Sequence, residues 1–538
     1  MDGNEILARA LRRSGASDIF FLMGGPMIDC ENACVEQGIR MVDVRMEQAA
    51  SMMANAYSRL LRRPGICMAA SGPATVNLLS GVANAFVDGA PVLAIGGSSP
   101  VSQYGLGAFQ EIDQLALARP VTKWAERCYD GRRIPEMVAT AIRHALGGRP
   151  GPVYLDMPGD VLYRDVATEE IRWDHLPLDP PRPAGAPADV DRALQLLAES
   201  ERPIVVSGSG VLWSDAPGEL RSFVERAGVP FFTTPLGRGA IEEDHRLSFP
   251  AARSTAFREA DCVLVVGTRL NYVIGYARPP RFSTDAKLIQ VDIESSEIGK
   301  TRTVDAGIVG DAKLVLGQLA DSRKHRPERR TAWASRLADI DHEKSVDSER
   351  RLSTDQRPIH PLRLCKEVRD FMGRDAVLSV DGQEILNFGR QSIPIHRPGH
   401  SLNSGPFGTM GVGLPFGLGA KVAKPDSEVI VLHGDGSFGI NGLEVDTAVR
   451  HHLPVITVIS NNGGWTARDK FKAGRDLGFG RYDEMARAFG CHAELVEDPA
   501  RIRPALERAR ASGQPAVVNV ITDPEARATT APFTSYMT

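Results

Sequence analysis

The hydrophobic positions of this chain fall into short, almost uninterrupted apolar runs that alternate with longer amphipathic stretches. Runs that are apolar at every position, rather than at every second one, are typical of parallel strands covered by helices on both faces. The predicted strands are DIFFLMGG, ICMAASG, VLAIGG and PVYLDMP, then PIVVSGSG, CVLVVGT and KLIQVDI, and finally AVLSVDG, EVIVLHGDG, PVITVISNN and AVVNVIT. This pattern predicts an α/β fold of three doubly wound, parallel-sheet domains.

Two stretches interrupt the alternation and predict linkers. Residues 176–188 are rich in proline, and residues 321–358 are dominated by Arg, Asp, Glu and Ser, although TAWASRLADIDHEK within them predicts a helix. They divide the 538 residues into predicted domains at about 1–170, 185–322 and 355–538. Three domains are consistent with an ordinary size of roughly 150 residues each.

The composition excludes several functional classes. With 63 Lys and Arg against 67 Asp and Glu, the net charge of -4 argues against a nucleic-acid partner, which would need a basic face. No run approaches the roughly 18 apolar residues of a membrane span, and the start MDGNEILARALRRSG predicts an amphipathic helix rather than a signal peptide. Seven cysteines without CxxC spacing favour a reducing compartment and no zinc site, so we expect a cytoplasmic protein.

Several predicted strands end in glycine-rich loops, where ligands bind in open α/β sheets, although any one such loop can be a plain turn. The most informative is GDGS at 434–437, where GDG is followed by 24 residues and then by NN at 461–462, the end of another predicted strand. Asp435, the Asn462 side chain and a backbone carbonyl near Gly464 offer the hard oxygens that Mg²⁺ prefers. The spacing predicts a magnesium ion shared with a phosphate; the alternative is a turn followed by a capped loop.

The GDG…NN segment resembles the signature of the thiamin-diphosphate enzymes of the acetohydroxyacid synthase and decarboxylase type, and the resemblance covers essentially the whole chain. It implies pyrimidine-binding, middle nucleotide-binding and diphosphate-binding domains, in that order. The implied cofactors are thiamin diphosphate and Mg²⁺, the metal held by Asp435, Asn462 and Gly464. The implied diphosphate positions are Gly434, Gly436, Ser437 and Asn462, with Gln383 from SVDGQEILNFG. The N–H groups of Gly436 and Ser437, at a predicted helix start, suit a phosphate in their own right.

Glu47, in VDVRMEQAASMMANAYSR, occupies the position of the family glutamate that hydrogen-bonds the aminopyrimidine ring. The thiazolium carbon is a very weak acid, and a carboxylate on the pyrimidine can stabilise the imino tautomer that takes its proton. Taken alone, Glu47 is a first-turn acid favoured by the helix dipole. The downstream GDG…NN segment favours the catalytic interpretation.

Two further segments resemble parts of the family site that face the cofactor rings. GLGAFQEIDQ places Gln110 and Glu111 opposite the thiazolium, where the alternative is a solvated loop. SGPFGTMGVG implies that Met410 is the apolar buttress between the rings and that the Gly408 carbonyl accepts from the 4-amino group. Without the resemblance, Met410 is ordinary core. ASGPA carries Ala74 where the family usually has glycine.

The middle piece resembles that of oxalyl-CoA decarboxylase and 2-hydroxyacyl-CoA lyase, above all in GTRLNY at 267–272. The resemblance implies bound ADP, with Asp292 on the ribose hydroxyls, and Arg253 at the CoA end of the substrate. The other implied ADP positions are Arg149, Gly208, Gly210, Arg269 and Ala312. Each arginine taken alone is a surface ion-pair partner, and GSGVLW lacks the third glycine of a dinucleotide loop.

Phe109-Gln110-Glu111 resembles lyases and synthases more than decarboxylases, which favours a 2-hydroxyacyl-CoA lyase. Such an enzyme reversibly cleaves a 2-hydroxyacyl-CoA to formyl-CoA and an aldehyde or ketone. Trp465, in a GGWTAR run that departs from the family, should lie near a substrate such as 2-hydroxyisobutyryl-CoA. The alternatives are an oxalyl-CoA decarboxylase, an acetohydroxyacid synthase-like enzyme with FAD in the middle domain, and a binding protein that has lost catalysis.

The resemblance also predicts how the chain assembles and closes its site. Glu47 and the diphosphate site lie in domains that meet across a subunit interface in this family, so a homodimer is the minimum and a homotetramer is common. The tail ARATTAPFTSYMT is predicted to form a lid that excludes water, with Phe533 and Tyr536 near the substrate; the alternative is a frayed terminus. The predicted partner is a small acyl-CoA, not a nucleic acid or a membrane.

Overall fold

Three parallel β-sheets follow one another along the chain in the computed structural model, which describes residues 1–174, 180–322 and 325–528. Their strands lie within residues 18–158, 203–309 and 377–521. Every strand pair in the three sheets is parallel, and helices connect the strands. The predicted α/β fold of three doubly wound, parallel-sheet domains is therefore confirmed.

The strands and helices of the described residues have the following bounds. The strands are β1 (Asp18–Leu22), β2 (Arg40–Asp43), β3 (Gly65–Ala69), β4 (Val92–Ser98), β5 (Ala125–Arg127), β6 (Val153–Pro158), β7 (Pro203–Ser207), β8 (Phe231–Thr233), β9 (Cys262–Val266), β10 (Lys287–Asp292), β11 (Ala306–Val309), β12 (Val377–Asp381), β13 (Ser401–Leu402), β14 (Val429–Gly434), β15 (Ile456–Asn461), β16 (His492–Val496) and β17 (Ala516–Ile521). The helices are α1 (Gly3–Arg13), α2 (Ile28–Glu36), α3 (Glu47–Leu61), α4 (Pro73–Asp88), α5 (Gln114–Ala118), α6 (Ile134–Leu146), α7 (Gly159–Leu162), α8 (Pro187–Glu199), α9 (Ser209–Trp213), α10 (Pro217–Ala227), α11 (Arg253–Glu259), α12 (Ala312–Ala320), α13 (Thr331–Leu352), α14 (Pro361–Phe371), α15 (Glu384–Ser392), α16 (Gly413–Ala423), α17 (Asp435–Asn441), α18 (Glu444–Arg450), α19 (Tyr482–Ala488) and α20 (Pro499–Ala511).

The strand order in each sheet separates the strands that the sequence predicted from those it did not. The orders are β2-β1-β3-β4-β6-β5, then β11-β10-β9-β7-β8, then β13-β12-β14-β15-β17-β16. All predicted strands are central, and the strands at both ends of every sheet were not predicted. Central strands are covered on both faces, so their sequences are continuous apolar runs. Edge strands are less covered, and their sequences do not need to be apolar at every position.

The amino-terminal helix α1 illustrates how local sequence sets an element. Asp2 caps it by accepting from Glu5 N at 2.9 Å, and Ile6, Leu7 and Leu11 lie on its buried face. It is an amphipathic helix, as predicted, and its buried face packs on the first sheet. No helix in the described ranges combines the length and apolar character needed to cross a bilayer.

The two predicted linkers differ in structure. Residues 176–179 of the first lie outside the described residues, and α8 begins at Pro187, inside the predicted stretch. Most of the second is the 22-residue helix α13, which contains the predicted helical segment. Its Trp333 and Leu337 are buried against the middle sheet, whereas Leu352 is buried with the third. Helix α13 therefore connects two sheets through packed side chains.

The first and third sheets also share one hydrophobic core, formed largely by α3 and α16. Gly419 of α16 packs so closely on α3 that a Cβ there would lie 2.4 Å from the Met53 carbonyl oxygen. Met53 and Leu418 are fully buried in this contact region. Since α3 begins at Glu47, its packing on α16 fixes where Glu47 lies relative to the third sheet.

Candidate active site

The GDG and NN segments meet at the carboxyl ends of β14 and β15. These strands are neighbours, with Gly434 paired to Ser460, so Asp435 and Asn462 follow adjacent strand ends. Asp435 is 1% exposed, and its Oδ2 atom has no hydrogen-bond partner among the described residues. Burial raises the pKa of the Asp435 carboxyl to about 6, although the N–H groups of nearby residues oppose this shift. A buried carboxylate oxygen without a donor is a site that a cation would satisfy.

The loop after Asn462 folds back over the GDG turn. An added Cβ at Gly436 would lie 2.7 Å from the Trp465 ring, so glycine at this position lets the indole pack on the turn. Trp465 remains 40% exposed, and the Asn462 Nδ2 atom donates to the Thr466 carbonyl at 3.4 Å. The structure thus brings together Asp435, Gly436, Asn462 and Trp465.

A third strand end, that of β12, completes this corner. Gly382 has a left-handed φ of +120°, and a Cβ on it would lie 3.1 Å from Gly434 N, so exposed Gln383 stands beside the GDG turn. Ser437 is 1% exposed and its hydroxyl donates to the Gly434 carbonyl at 3.0 Å. The buried Asp381 Oδ2 accepts from Gly413 N at 3.0 Å. This bond ties the loop that carries Gly408 and half-buried Met410 to the same strand end.

The donor set at this corner fits Mg²⁺ shared with a phosphate. The described residues contain no group of three or more His, Cys, Asp or Glu side chains arranged to hold a metal. The corner instead combines one buried carboxylate with the Asn462 amide and the backbone of Gly464. Mg²⁺ keeps several positions for water and phosphate oxygens, so a sparse protein set of hard oxygens suits it.

Glu47 lies at the start of α3 and is 7% exposed, with Oε2 accepting from Asn77 Nδ2 at 3.1 Å. Its flanking residues are held by the third sheet unit of the same chain. Buried Glu444 accepts from Arg45 N and Met46 N, each at 3.1 Å, and Gln48 donates to the Asn441 side chain at 2.8 Å. Burial raises the pKa of Glu444 to about 7. Sequence patterns offered no signal for Glu444, because its partners lie 399 and 398 positions away.

Gln110 is one of the few non-glycine residues with a left-handed backbone, at φ +58°. Its Oε1 accepts from Ser71 Oγ at 2.7 Å, and its backbone packs against Gly72. Gly72 N in turn donates to Gln114 Oε1 at 2.6 Å. Buried Gln114 donates to Gly97 O, Tyr154 OH and Asp156 Oδ1. No sequence pattern singled out Gln114, which anchors the turn that supports Gln110.

Glu111 has a different environment from its neighbour. Its carboxylate accepts from the backbone N–H groups of Gly105, Gly107 and Ala108, and these bonds hold its pKa below the ordinary value. The carboxylate therefore braces its own loop, while the adjacent Phe109 side chain is 85% exposed.

A cleft of about 1840 Å³ lies between the three sheets and contains most of the predicted nucleotide residues. Its lining includes Arg149, Gly210, Arg269, Asp292 and Ala312, as well as Arg253. Gly208 is not part of the lining, and its N–H donates to the Val266 carbonyl at 3.0 Å. Gly210 N likewise donates to Gly267 O at 2.9 Å, and an added Cβ at either glycine would collide with residues 267–268. These glycines therefore permit close packing of two loops, and their N–H groups are already engaged.

The cleft carries an excess of positive charge. Among the described residues, eleven arginines and one lysine line it against five carboxylates. Arg149 and Arg269 both donate to the Val87 carbonyl, which places two guanidinium groups side by side. Burial lowers the pKa of Arg149 and of Arg253, that of Arg253 to about 9. Burial also raises the pKa of Asp292.

Arg253 is held at the cleft wall without a carboxylate partner in the described part of the chain. Its Nη1 donates to the Thr233 carbonyl at 2.7 Å, and its guanidinium lies over the Phe257 ring at 4.5 Å. A half-buried guanidinium without a carboxylate partner suits an anionic ligand group. Phe533 and Tyr536, the other predicted substrate residues, lie outside the described residues.

Comparison with known proteins places the chain in a family. It matches the models of the thiamine pyrophosphate enzyme N-terminal TPP binding domain over residues 1–117, central domain over 190–319 and C-terminal TPP binding domain over 386–520. It is 36% identical over 532 residues to a probable acetolactate synthase of Mycobacterium bovis (97% of this chain, 96% of the relative). It is 34% identical over 553 residues to a 2-hydroxyacyl-CoA lyase of Arabidopsis thaliana (98% and 96%) and 34% over 540 residues to an oxalyl-CoA decarboxylase of Escherichia coli (98% and 95%). With all three sheet units matched, this chain belongs to the thiamine pyrophosphate enzyme family.

Proposed function

We propose that this protein is a thiamin-diphosphate-dependent carbon–carbon lyase that cleaves a 2-hydroxyacyl-CoA to formyl-CoA and an aldehyde or ketone. The observation that carries the proposal is the arginine-rich cleft with half-buried Arg253 at its wall. A coenzyme A substrate brings several phosphate groups, and guanidinium groups are the preferred partners of phosphate. The relatives that include a 2-hydroxyacyl-CoA lyase and an oxalyl-CoA decarboxylase support this substrate class.

The metal and diphosphate are assigned to the corner where β12, β14 and β15 end. Asp435, the Asn462 side chain and the Gly464 carbonyl would hold Mg²⁺ beside the diphosphate. The diphosphate positions are Gly434, Gly436, Ser437 and Gln383. The family cofactor supplies a nucleophilic carbon and an electron sink when bound. The proposal is supported by the unpartnered Asp435 Oδ2 and by the adjacency of the two strand ends.

The remaining assigned residues bind, orient or move protons. Glu47 would share a proton with the pyrimidine ring, and its burial on a rigid helix start suits that role. Met410 and the Gly408 carbonyl would set the angle between the two rings. Gln110, fixed in its left-handed turn, would face the reacting carbon, with Glu111 holding the loop. Trp465 would border the acyl group, for which 2-hydroxyisobutyryl-CoA is one candidate.

ADP is proposed to occupy the cleft as a second, non-redox nucleotide. Arg149, Arg269, Asp292 and Ala312 line the same cleft as Gly210, and Asp292 ends β10, where a ribose is expected. The oligomer is proposed to be a homodimer at least, since Glu47 and Asp435 would belong to one site contributed by two chains.

The decisive experiment supplies the protein, thiamin diphosphate and Mg²⁺ with formyl-CoA plus acetone or an aldehyde, and in parallel with oxalyl-CoA and with pyruvate. A lyase forms a 2-hydroxyacyl-CoA, detected by mass spectrometry, and cleaves it in the reverse direction. Carbon dioxide from oxalyl-CoA without condensation would instead identify a decarboxylase. Acetolactate from pyruvate would identify the synthase activity that the Mycobacterium bovis relative is named for.

Arg253 allows a matched test of the coenzyme A assignment. Arg253→Gln should raise KM for the acyl-CoA by about tenfold or more, as expected for loss of a charge-assisted hydrogen bond, with a smaller change in kcat. Arg258→Gln, on the same helix α11, is the control. An unchanged KM in a folded Arg253 variant would argue against the assignment.

A further inference from the structure

Arg475 is a buried cation that the cofactor assignment does not use. It is 4% exposed and lies on the loop that follows Asn462. Its Nε donates to the Thr466 carbonyl at 2.7 Å, its Nη1 to the Gly463 carbonyl at 3.1 Å and its Nη2 to the Asn462 carbonyl at 3.1 Å. One guanidinium group therefore ties together both ends of the turn at residues 462–466.

The carbonyl that Arg475 leaves available is that of Gly464. No donor from the described residues reaches this oxygen, although Gly464 packs tightly on the arginine. A Cβ at Gly464 would lie 2.2 Å from the Arg475 carbonyl oxygen and 2.7 Å from its Nη1. The Asn462 Nδ2 donates to Thr466 O at 3.4 Å, so this contact does not use the amide oxygen Oδ1. The two oxygens that remain available belong to the two residues assigned to the metal beside Asp435.

We propose that Arg475 is a positioning residue of the metal site, which engages the carbonyls of Asn462, Gly463 and Thr466 so that the Asn462 amide oxygen and the Gly464 carbonyl face Mg²⁺. This inference rests on the proposed cofactor site and deepens it. A guanidinium presents five N–H donors in a rigid plane and holds several carbonyls at fixed angles, whereas a lysine ammonium on a flexible stem cannot. Two adjacent glycines in the turn have no side chains of their own to fix it.

Other segments support the same turn from outside. Arg475 Nη2 also lies 3.4 Å from the Pro524 carbonyl, which accepts from Arg468 N at 2.6 Å. Thr466 Oγ1 donates to Glu384 Oε1 at 2.8 Å, and the other carboxylate oxygen accepts from Ala528 N at 2.9 Å. The turn is thus braced between the start of α15 and the segment that leads into the C-terminal tail.

The test measures metal affinity, which does not depend on knowing the substrate. Mg²⁺ is titrated calorimetrically into the full-length protein saturated with thiamin diphosphate, for wild type, Arg475→Met and Arg475→Lys. Loss of a residue that orients metal ligands typically weakens metal binding about 10–100-fold, and we expect this for Arg475→Met. The loss of Mg²⁺ affinity should be smaller for Arg475→Lys than for Arg475→Met. Arg468→Met is the matched control, since its 48% exposed side chain pairs with Asp476, the same carboxylate that Arg475 Nη1 contacts at 3.0 Å. Its Mg²⁺ affinity should stay within about twofold of wild type.

The possible outcomes distinguish a failure of the positioning role of Arg475 from a failure of the proposed cofactor site. Wild-type protein that binds no Mg²⁺ with thiamin diphosphate would overturn the proposed cofactor site itself. Wild-type binding with unchanged affinity in the Arg475 variants would overturn only the positioning role. A variant whose thermal midpoint falls while its folded fraction binds Mg²⁺ normally would also overturn it, because Arg475 would then stabilise the loop without orienting the ligands. If Arg475→Met does not fold, the Lys variant decides between these outcomes.

Discussion

Buried carboxyl groups of this protein differ in the number of donors that reach them. Glu444 accepts from two backbone N–H groups and the Thr447 hydroxyl, and Asp381 accepts from Gly413 N. Glu47 accepts from Asn77, whereas one oxygen of Glu31 and one of Asp435 have no partner among the described residues. A buried oxygen without a donor costs stability unless a ligand or proton satisfies it. At Asp435 we propose that a cation satisfies this oxygen. At Glu31 a bound proton can do so, because burial raises the pKa of this carboxyl group to about 8.

Glu47→Gln is the direct test of the catalytic carboxylate. An amide of the same shape cannot share a proton with the cofactor ring, so kcat should fall about 10²–10⁴-fold. Thiamin diphosphate binding, measured by calorimetry, should change much less because the helix start remains intact. Asn77→Ala, which removes the donor to Glu47 Oε2, should cost less activity than Glu47→Gln. Full activity in Glu47→Gln would revive the interpretation of this chain as a binding protein.

Glu31 gives a prediction about pH and stability. Burial raises the pKa of Glu31 from 4.5 to about 8, so the folded protein holds a proton that the unfolded chain releases over this interval. The folded state therefore loses stability as the pH rises from 4.5 to about 8. Glu31→Gln removes this titration. The stability of Glu31→Gln relative to wild type, followed as the difference between their thermal midpoints, should therefore increase from about pH 5 to about pH 9. The expected increase corresponds to roughly 1–3 kcal/mol.

Exposed Glu36, on the same helix α2, provides the control for that measurement. Glu36→Gln should follow the wild-type pH profile. A Glu31→Gln profile that runs parallel to wild type would mean that the carboxyl group keeps an ordinary pKa in the folded protein.

At the scale of elements, what the sequence could predict was set by burial. The central strands of all three sheets are continuous apolar runs because helices cover both of their faces, and these were predicted. The edge strands, such as the two-residue β13 and the three-residue β5, carry too little pattern to be recognised. The GDG and NN segments could be placed because both follow central strands. Arg475, Gln114 and Glu444 could not, since their roles depend on contacts between segments that only the fold brings together.

The turn before α4 gives a prediction at the same scale. Gly72 has φ +59° and ψ −113°, a conformation that side chains disfavour, and a Cβ there would lie 2.4 Å from the Gln110 carbonyl oxygen. Gly72→Ala should therefore displace the Gln110 loop and destabilise the protein by about 1–3 kcal/mol. Turnover should fall, while Mg²⁺ affinity should be unchanged, because Gly72 contacts Gln110 and Gln114 and none of the residues assigned to the metal.

Gly218 is the matched control for Gly72. It lies within α10, and an added Cβ would have no neighbour within 4 Å. Gly218→Ala should stabilise the protein slightly, by about 0.5–1 kcal/mol, through helix propensity. If both substitutions behaved alike in thermal unfolding and turnover, the Gly72 turn would not be a constraint on Gln110.

At the scale of the whole molecule, both halves of the proposed thiamin diphosphate site lie outside the lining of the large cleft. The large cleft between the sheets is lined by neither Glu47 nor Asp435. Several apolar side chains on the loops that carry Gln110 and Trp465 are strongly exposed: Leu106 (78%), Phe109 (85%) and Phe471 (93%). Exposed aromatic and aliphatic groups of this size are typical of surfaces that a second subunit covers. The arrangement favours a site that two chains complete together.

Mixed dimers test this arrangement directly. Glu47→Gln and Asp435→Ala should each abolish activity in a dimer of one variant. If the site forms between chains, a dimer with one chain of each kind has one site that combines the unaltered Glu47 of one chain with the unaltered Asp435 of the other. Random pairing makes about half of the dimers mixed, so about a quarter of all sites in a co-expressed preparation are intact.

A site formed within one chain predicts a different result, because every chain in the mixture carries a defect and none is active. The measurement is the activity of mixed dimers purified through two different affinity tags, one on each variant, at a concentration that keeps the dimer associated. Recovery of about half of the wild-type activity per mixed dimer is expected, because one of its two sites is intact. Tagged dimers of a single variant report the background. Mixed dimers no more active than this background would assign Glu47 and Asp435 to the same chain's site, and the exposed loops would then need another partner.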